Sequence, residues 1–230
     1  MKATWAPSPC DDGVYRFIAL QPIFNRNKQI FGYEALSRSS WNNSFSGDSE
    51  SATRTMIDNW ALHSLVELTG ELPTFMNCTR EALVCGILTT LPGSAVFELL
   101  ETIEPDKEVV VACRKMKSLG YRIALDDFQL APKMERLVEL ADYVKVDFQL
   151  SDTDERKEIR RCLKHGHATA IAEKIETKEE FETALSEGFS LFQGYYLGRP
   201  IVFSKRQLPI DNGHNLRLLA AYSKLHPSAR

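Results

Sequence analysis

Cysteine is scarce in this 230-residue chain, and the five present (Cys10, Cys78, Cys85, Cys113 and Cys162) form no Cys-x-x-Cys pair. That argues against a disulfide framework and against a thiolate zinc site, and it makes a reducing cytoplasm the expected compartment. Excess basic charge is missing as well. The net charge is −3, so there is no general basic footprint for DNA or other nucleic acid. No long apolar run opens the chain, so neither a signal peptide nor a membrane span is expected. Glycine-rich nucleotide loops are absent too. Neither Gly-x-Gly-x-x-Gly nor Gly-x-x-x-x-Gly-Lys occurs, and no glycine lies between Gly120 and Gly166.

What is present is an ordinary globular composition, 43% hydrophobic, long enough for one barrel-sized domain or two small ones. Residues 1–13 read as a loose tail. Residues 14–24 and 29–36 are apolar and β-branched or aromatic, with the polar turn 25–28 between them, and they predict an antiparallel hairpin. Residues 40–50 are rich in Ser, Asn and Gly and read as loop. Residues 51–68 carry helical spacing.

Strands are then expected at 74–77, 95–100, 123–125, 143–147, 168–175 and 191–197. Helices are expected at 80–88, 106–119, 134–140, 154–164 and 178–187 between them. The compact domain spans 14–203. Residues 204–230 form an extension with a short helix at 215–225. Strands and helices alternate about seven times after the hairpin, which predicts an α/β fold with a parallel sheet, closed as a (β/α)8 barrel. A doubly wound open sheet is the structural alternative.

The polar residues sit where those strands end. Ile123-Ala124-Leu125 stops abruptly at Asp126-Asp127-Phe128. Neighbouring residues on a strand point to opposite faces, so both aspartates reach one ion only where the strand turns into a loop. Paired carboxylates need a cation, a proton or solvent between them. Glu34, Asn77, Glu101, Lys145, Asp147, Glu173, Glu176 and Gln193 occupy comparable positions. In a barrel, these ends converge on one mouth. That many oxygen ligands suits hard divalent cations, Mg²⁺ or Mn²⁺, which would also admit a phosphate substrate despite the acidic balance. Lys145 either polarises a water or neutralises the surrounding carboxylates.

These residues also follow a known pattern. Gln21-Pro22-Ile23, Gly32-Tyr33-Glu34-Ala35-Leu36-Ser37-Arg38, Asn77, Glu98-Leu99-Leu100-Glu101, Asp126-Asp127-Phe128, Val144-Lys145-Val146-Asp147, Ala172-Glu173-Lys174-Ile175-Glu176-Thr177 and Gln193-Gly194-Tyr195-Tyr196 appear in order. The chain resembles the EAL domain family over about residues 18–200. The resemblance implies a modified TIM barrel whose first strand runs antiparallel, in agreement with the hairpin. It implies a bacterial phosphodiesterase that opens cyclic di-GMP to 5′-pGpG with two Mg²⁺ or Mn²⁺ ions. By the family's pattern, Glu34, Asn77, Glu101, Asp126 and Asp127 would hold the metal. Lys145 and Glu173 would position and deprotonate the attacking water, with Glu176 and Gln193 completing the catalytic set. Gln21, Leu36, Arg38 and Asp147 match the substrate side.

The chain departs from the family after Asp126-Asp127-Phe128. Active members carry a loop of the type Gly-Thr-Gly-Tyr-Ser-Ser, whereas this chain reads Gln129-Leu130-Ala131-Pro132-Lys133-Met134. Glu104 matches a glutamate that steadies that loop. Lys174 stands where the family usually has glycine. These departures set a second expectation beside the first: a weak or inactive domain acting as a cyclic di-GMP receptor or as a protein-interaction module. A homodimer, and a C-terminal HD-related output domain or another signalling protein, are the further partners that the resemblance raises.

Overall fold

An asparagine side chain ties the first turn. Asn25 Oδ1 accepts hydrogen bonds from the backbone N–H groups of Asn27 (2.9 Å) and Gln29 (3.0 Å). The turn joins β1 (Tyr15–Asn25) to β2 (Ile30–Arg38). The two strands pair antiparallel, from Phe17 opposite Arg38 to Phe24 opposite Ile30. The computed structural model describes residues 15–38, 65–164 and 166–206. The expected tail 1–13, the loop 40–50, the first part of helix 51–68 and the helix 215–225 lie outside the described residues.

From β2 the strands run parallel in sequence order. They are β3 (Thr74–Cys78), β4 (Ala95–Leu99), β5 (Arg122–Leu125), β6 (Tyr143–Asp147), β7 (Thr169–Glu173) and β8 (Leu191–Phe192). β8 pairs antiparallel with the end of β1, and β1 with β2, so eight strands close into a mixed barrel. The helices are α1 (Leu65–Thr69), α2 (Arg80–Cys85), α3 (Lys107–Ser118), α4 (Glu135–Val138), α5 (Thr153–Leu163) and α6 (Lys178–Ser186). Their starts follow local chemistry. Asp106 and Asp152 accept first-turn N–H groups of α3 and α5. Thr177 and Glu180 form a reciprocal capping box on α6.

Strand alternation separates two cores. Leu20, Met76, Phe97, Leu125, Val146, Ala172 and Phe192 belong to the large cluster packed under the helices. Ile23, Phe75, Val96, Ala124, Tyr143, Ile171 and Leu191 form a separate cluster that fills the barrel. Arg156 of α5 is buried, and it pairs with Glu187 just past α6 through Nε–Oε2 (2.8 Å) and Nη2–Oε1 (2.9 Å). Its guanidinium stacks 3.9 Å from the centre of the Phe148 ring.

Several boundaries differ from expectation. The strand expected over 191–197 stops at Phe192, because a tight turn begins at Gly194, whose carbonyl accepts from Leu197 and Gly198. Helix 80–88 breaks at Gly86, which has φ 76° and admits the left-handed turn into a 3-10 segment. Helix 134–140 is preceded by a 3-10 turn, Pro132–Met134. An additional strand, β9 (Ile201–Arg206), continues past residue 203 and pairs antiparallel with β1 over Tyr15–Leu20.

Candidate active site

The barrel interior changes character within one layer. Two residues beyond the apolar filling come Asn77, Glu98, Lys145 and Glu173 on the same face of β3, β4, β6 and β7, with Asp126 and Gln193 just past the ends of β5 and β8. β1 runs the other way, so two residues back from Ile23 is Gln21, which pairs in register with Glu34. Period-two alternation thus builds a polar floor from residues scattered over most of the chain.

Lys145 is the centre of that floor and is 1% exposed. Its Nζ lies 2.8 Å from Glu98 Oε1, 2.8 Å from Asp126 Oδ1, 2.9 Å from Glu173 Oε1 and 3.6 Å from Glu34 Oε2. Gln193 Nε2 donates to Glu34 Oε2 at 2.6 Å. Burial alone would lower the Lys145 pKa, but Asp126, Glu173, Glu34 and Glu98 together raise it well above the ordinary lysine value. Lys145 therefore stays charged and acts as a donor. Burial pushes the Glu173 carboxyl up to about 8, against the pull of Lys145. Burial likewise raises Glu98 well above the carboxylate range.

Asp126 and Asp127 reach the same space because the chain turns between them. Asp127 has φ 38°, the left-handed geometry that Asp tolerates better than most residues. Ligand oxygens of Asp126, Asp127 and Glu173 lie within 4.8 Å of one another. Above the floor opens a cavity of about 340 Å³. Gly194 closes one wall, where a Cβ would fall 2.1 Å from the Ile175 carbonyl oxygen, so only glycine fits.

The description "EAL domain" fits residues 16–200 of the chain. The chain belongs to the EAL domain family. The protein YuxH of Bacillus subtilis is 34% identical over 222 residues, 93% of this chain and 54% of YuxH. The cyclic di-GMP phosphodiesterase CdgJ of Vibrio cholerae is 32% identical over 213 residues, 88% of this chain and 49% of CdgJ. The chain thus spans about half the length of these curated relatives. Among solved structures, the Bacillus subtilis YkuI protein, with an EAL domain, in complex with cyclic di-GMP and calcium, superposes with TM-score 0.66 at 22% identity. That match covers 91% of this chain and 60% of YkuI. It shows the fold: the barrel with an antiparallel first strand expected from the sequence is the EAL barrel.

The EAL site gathers most of the expected residues. Glu34, Asp126, Asp127, Lys145 and Glu173 line the cavity, as do Gln21, Leu36, Glu176 and Gln193. Asn77 is the penultimate residue of β3, on the interior face, and is half-buried. Asp147 lies below the rim, buried, with Oδ1 accepting from Gln149 N (2.7 Å) and Leu150 N (3.1 Å). Arg38 ends β2, half-buried, and donates to the Ser37 carbonyl at 2.9 Å.

Glu101, expected as a metal ligand, is exposed in the turn after β4 and is not among the cavity residues. Glu98, three residues earlier, occupies the floor at 0% exposure. The signal for it was the alternation of β4, which puts Glu98 on the same face as Val96. Lys174 and Tyr195 also line the cavity without having been named as site residues.

The donor set fits a hard divalent cation. It consists of carboxylate oxygens, and among the described residues Glu98 Oε2 and Gln193 Oε1 are buried without a hydrogen-bond partner. Buried acceptors of that kind need a ligand or water, and oxygen donors suit Mg²⁺, Mn²⁺ or Ca²⁺.

Proposed function

We propose that this EAL domain is a phosphodiesterase that hydrolyses cyclic di-GMP to 5′-pGpG in bacterial second-messenger signalling, with two Mg²⁺ or Mn²⁺ ions as cofactors. The observation that carries the reading is the ring of carboxylates closed around Lys145 at the floor of an open cavity. The name of the relative CdgJ supports the substrate.

Asp126, Asp127, Glu173, Glu34, Glu98 and Asn77 are the residues that would hold the ions. When bound, divalent ions supply positive charge to the oxygens of the reacting phosphodiester and lower the pKa of water. The chain's own residues do the rest. Lys145, kept charged by its carboxylate neighbours, would orient a water by exchanging one of its three carboxylate hydrogen bonds for it, and as an ammonium it cannot take that water's proton. Glu173, at hydrogen-bond distance from Lys145, is the proton acceptor of the pair. Gln193 holds Glu34 in place. Gln21, Leu36 and Arg38 serve the nucleotide side, and Glu176 completes the rim. The free thiols of Cys78, Cys85, Cys113 and Cys162 support a reducing compartment such as the cytoplasm.

The test is cyclic di-GMP turnover in Mn²⁺ and Mg²⁺ with chromatographic detection of 5′-pGpG. Asp126→Asn is expected to lose about a hundredfold or more, the scale on which losing one electrostatic contact to a reacting group is felt. Turnover by that variant at the parent's rate would overturn the assignment. The second reading, a receptor that binds without hydrolysis, is favoured by the proline in the loop at 129–134. Retention of cyclic di-GMP with no 5′-pGpG formed in either metal would select it.

A further inference from the structure

A second lysine stands at the rim of the site. Lys174 follows Glu173 directly and has φ 55°, a strained left-handed conformation for a side chain of its size. That conformation carries the ammonium back across the mouth. Lys174 Nζ hydrogen-bonds to Asp147 Oδ2 and lies 3.3 Å from Asp127 Oδ1. The bond to Asp147 is a built one, because the other oxygen of that buried carboxylate is held by the backbone of Gln149 and Leu150. The contact with Asp127 differs in kind. Asp127 is one of the three carboxylates whose oxygens converge within 4.8 Å, and the Lys174 side chain is 49% exposed on the cavity side. The ammonium and a metal ion therefore call on the same carboxylate.

We propose that Lys174 is a resident cation that competes with the outer divalent ion for Asp127, so that the inner ion binds tightly and the outer one weakly. This rests on the reading of the site as a two-cation phosphodiesterase. An inner ion would draw on the buried floor carboxylates Glu34 and Glu98 beside Lys145, to which Lys174 makes none of its hydrogen bonds. An outer ion would be held where Asp127 converges with Asp126 and Glu173. A positive charge already lying against Asp127 repels a second cation and must be displaced before it binds. Lys174 thereby sets how much free metal is needed to complete the site.

The experiment is calorimetric titration of Mn²⁺ into chelator-stripped protein, for the parent, Lys174→Met and Lys174→Gly. Lys174→Met removes the charge and keeps the strained backbone. Lys174→Gly removes both, and its freedom at positive φ favours folding. The parent is expected to bind in two unequal steps. Both variants are expected to tighten the weaker step by about tenfold or more, a modest effect for a unit charge within about 4 Å, with the tight step unmoved. A Lys174→Met isotherm that superimposes on the parent's overturns the proposal. So does tightening in Lys174→Gly alone, because backbone relief and not charge would then be the cause, and so does an absence of Mn²⁺ binding in all three proteins. Cyclic di-GMP hydrolysis is followed on the same samples. The predicted metal shift without any hydrolysis overturns the proposed activity and supports the competition; hydrolysis with superimposable isotherms does the reverse.

Discussion

Lys145 Nζ lies 2.8 Å from Glu98 Oε1 at a place where the two side chains are 2% and 0% exposed. A buried ion pair contributes less by its presence than its disruption costs, since removing one partner strands the other's charge. Here one ammonium serves four carboxylates, so the asymmetry is larger than for a simple pair. Lys145→Met is expected to lower metal-free stability by about 3–5 kcal/mol. Divalent cation should restore part of that loss, because it replaces the missing positive charge. Denaturant unfolding in EDTA and in excess Mn²⁺ checks both statements. A variant as stable as the parent in EDTA would show that the carboxylates are neutralised in some other way.

Glu98 and Glu101 make a paired prediction. Glu98→Gln keeps the volume and removes a buried carboxylate from the floor, so Mn²⁺ affinity should fall by about 10–100-fold, the range seen when groups that tune a metal site are lost. Glu101→Gln alters an exposed turn and should change affinity less than threefold or so. Calorimetric titration of the two variants side by side decides between them. The opposite order would return Glu101 to the metal site.

That pair also marks where the sequence was readable and where it was not. The hairpin, the βα alternation and the convergence of strand ends follow from period-two patterns and from turns, which are local. Asp126, Lys145 and Glu173 line the cavity because each lies on the inward face, Lys145 within β6, Glu173 at the end of β7 and Asp126 just past β5. Glu101, assigned to the metal by the family's pattern, lies exposed in the turn past β4, whereas the alternation of β4 turns Glu98 inward beside Val96. β8 was read too long because aromatic and apolar residues continue past Gly194 into a turn. β9 opens with the strand-like Ile201-Val202-Phe203, but the run is short, it follows Pro200 and precedes polar residues, and its pairing is with β1, far away in sequence. Lys174 was visible only as an unusual residue beside Glu173. Its reach to Asp147 and Asp127, 27 and 47 residues away, is a tertiary fact that no local pattern contains.

The Arg156–Glu187 pair, with side chains 7% and 9% exposed, holds α5 to the end of α6. Arg156 also donates to the Ser151 carbonyl and Thr153 Oγ1 and packs on Phe148. Truncating Glu187 leaves the guanidinium buried with neutral partners only. Glu187→Ala should therefore destabilise by about 3 kcal/mol or more. The exposed pair Lys157–Asp154 should contribute below about 1 kcal/mol. Urea unfolding of Glu187→Ala and Asp154→Ala compares them directly, and equal midpoints would mean that burial does not distinguish the two pairs.

The loop after Asp127 governs the last prediction. Ala131 is extended, at φ −145° and ψ 142°, as expected for a residue before proline, and Pro132 opens the 3-10 turn with its own φ fixed. Lys133 Nζ then reaches Glu104 Oε1 at 2.8 Å across exposed surface, a pair worth only about 0–1 kcal/mol. Stiffness here comes from the backbone, and the ion pair adds little to it. On the proposed function, a loop of this kind next to Asp126 and Asp127 is expected to close over the nucleotide less readily than a glycine-rich one. Closure chiefly aids the chemical step, whereas binding draws on residues from several other strands. Replacing residues 129–134 by Gly-Thr-Gly-Tyr-Ser-Ser is therefore expected to raise kcat by about tenfold, within the hundredfold that about 1 Å of misplacement costs, with KM changing less. Steady-state cyclic di-GMP hydrolysis by the parent and the graft, alongside Glu104→Gln as a control for the ion pair, provides the measurement. A graft that folds, binds the nucleotide and turns over no faster would place the rate limit outside this loop.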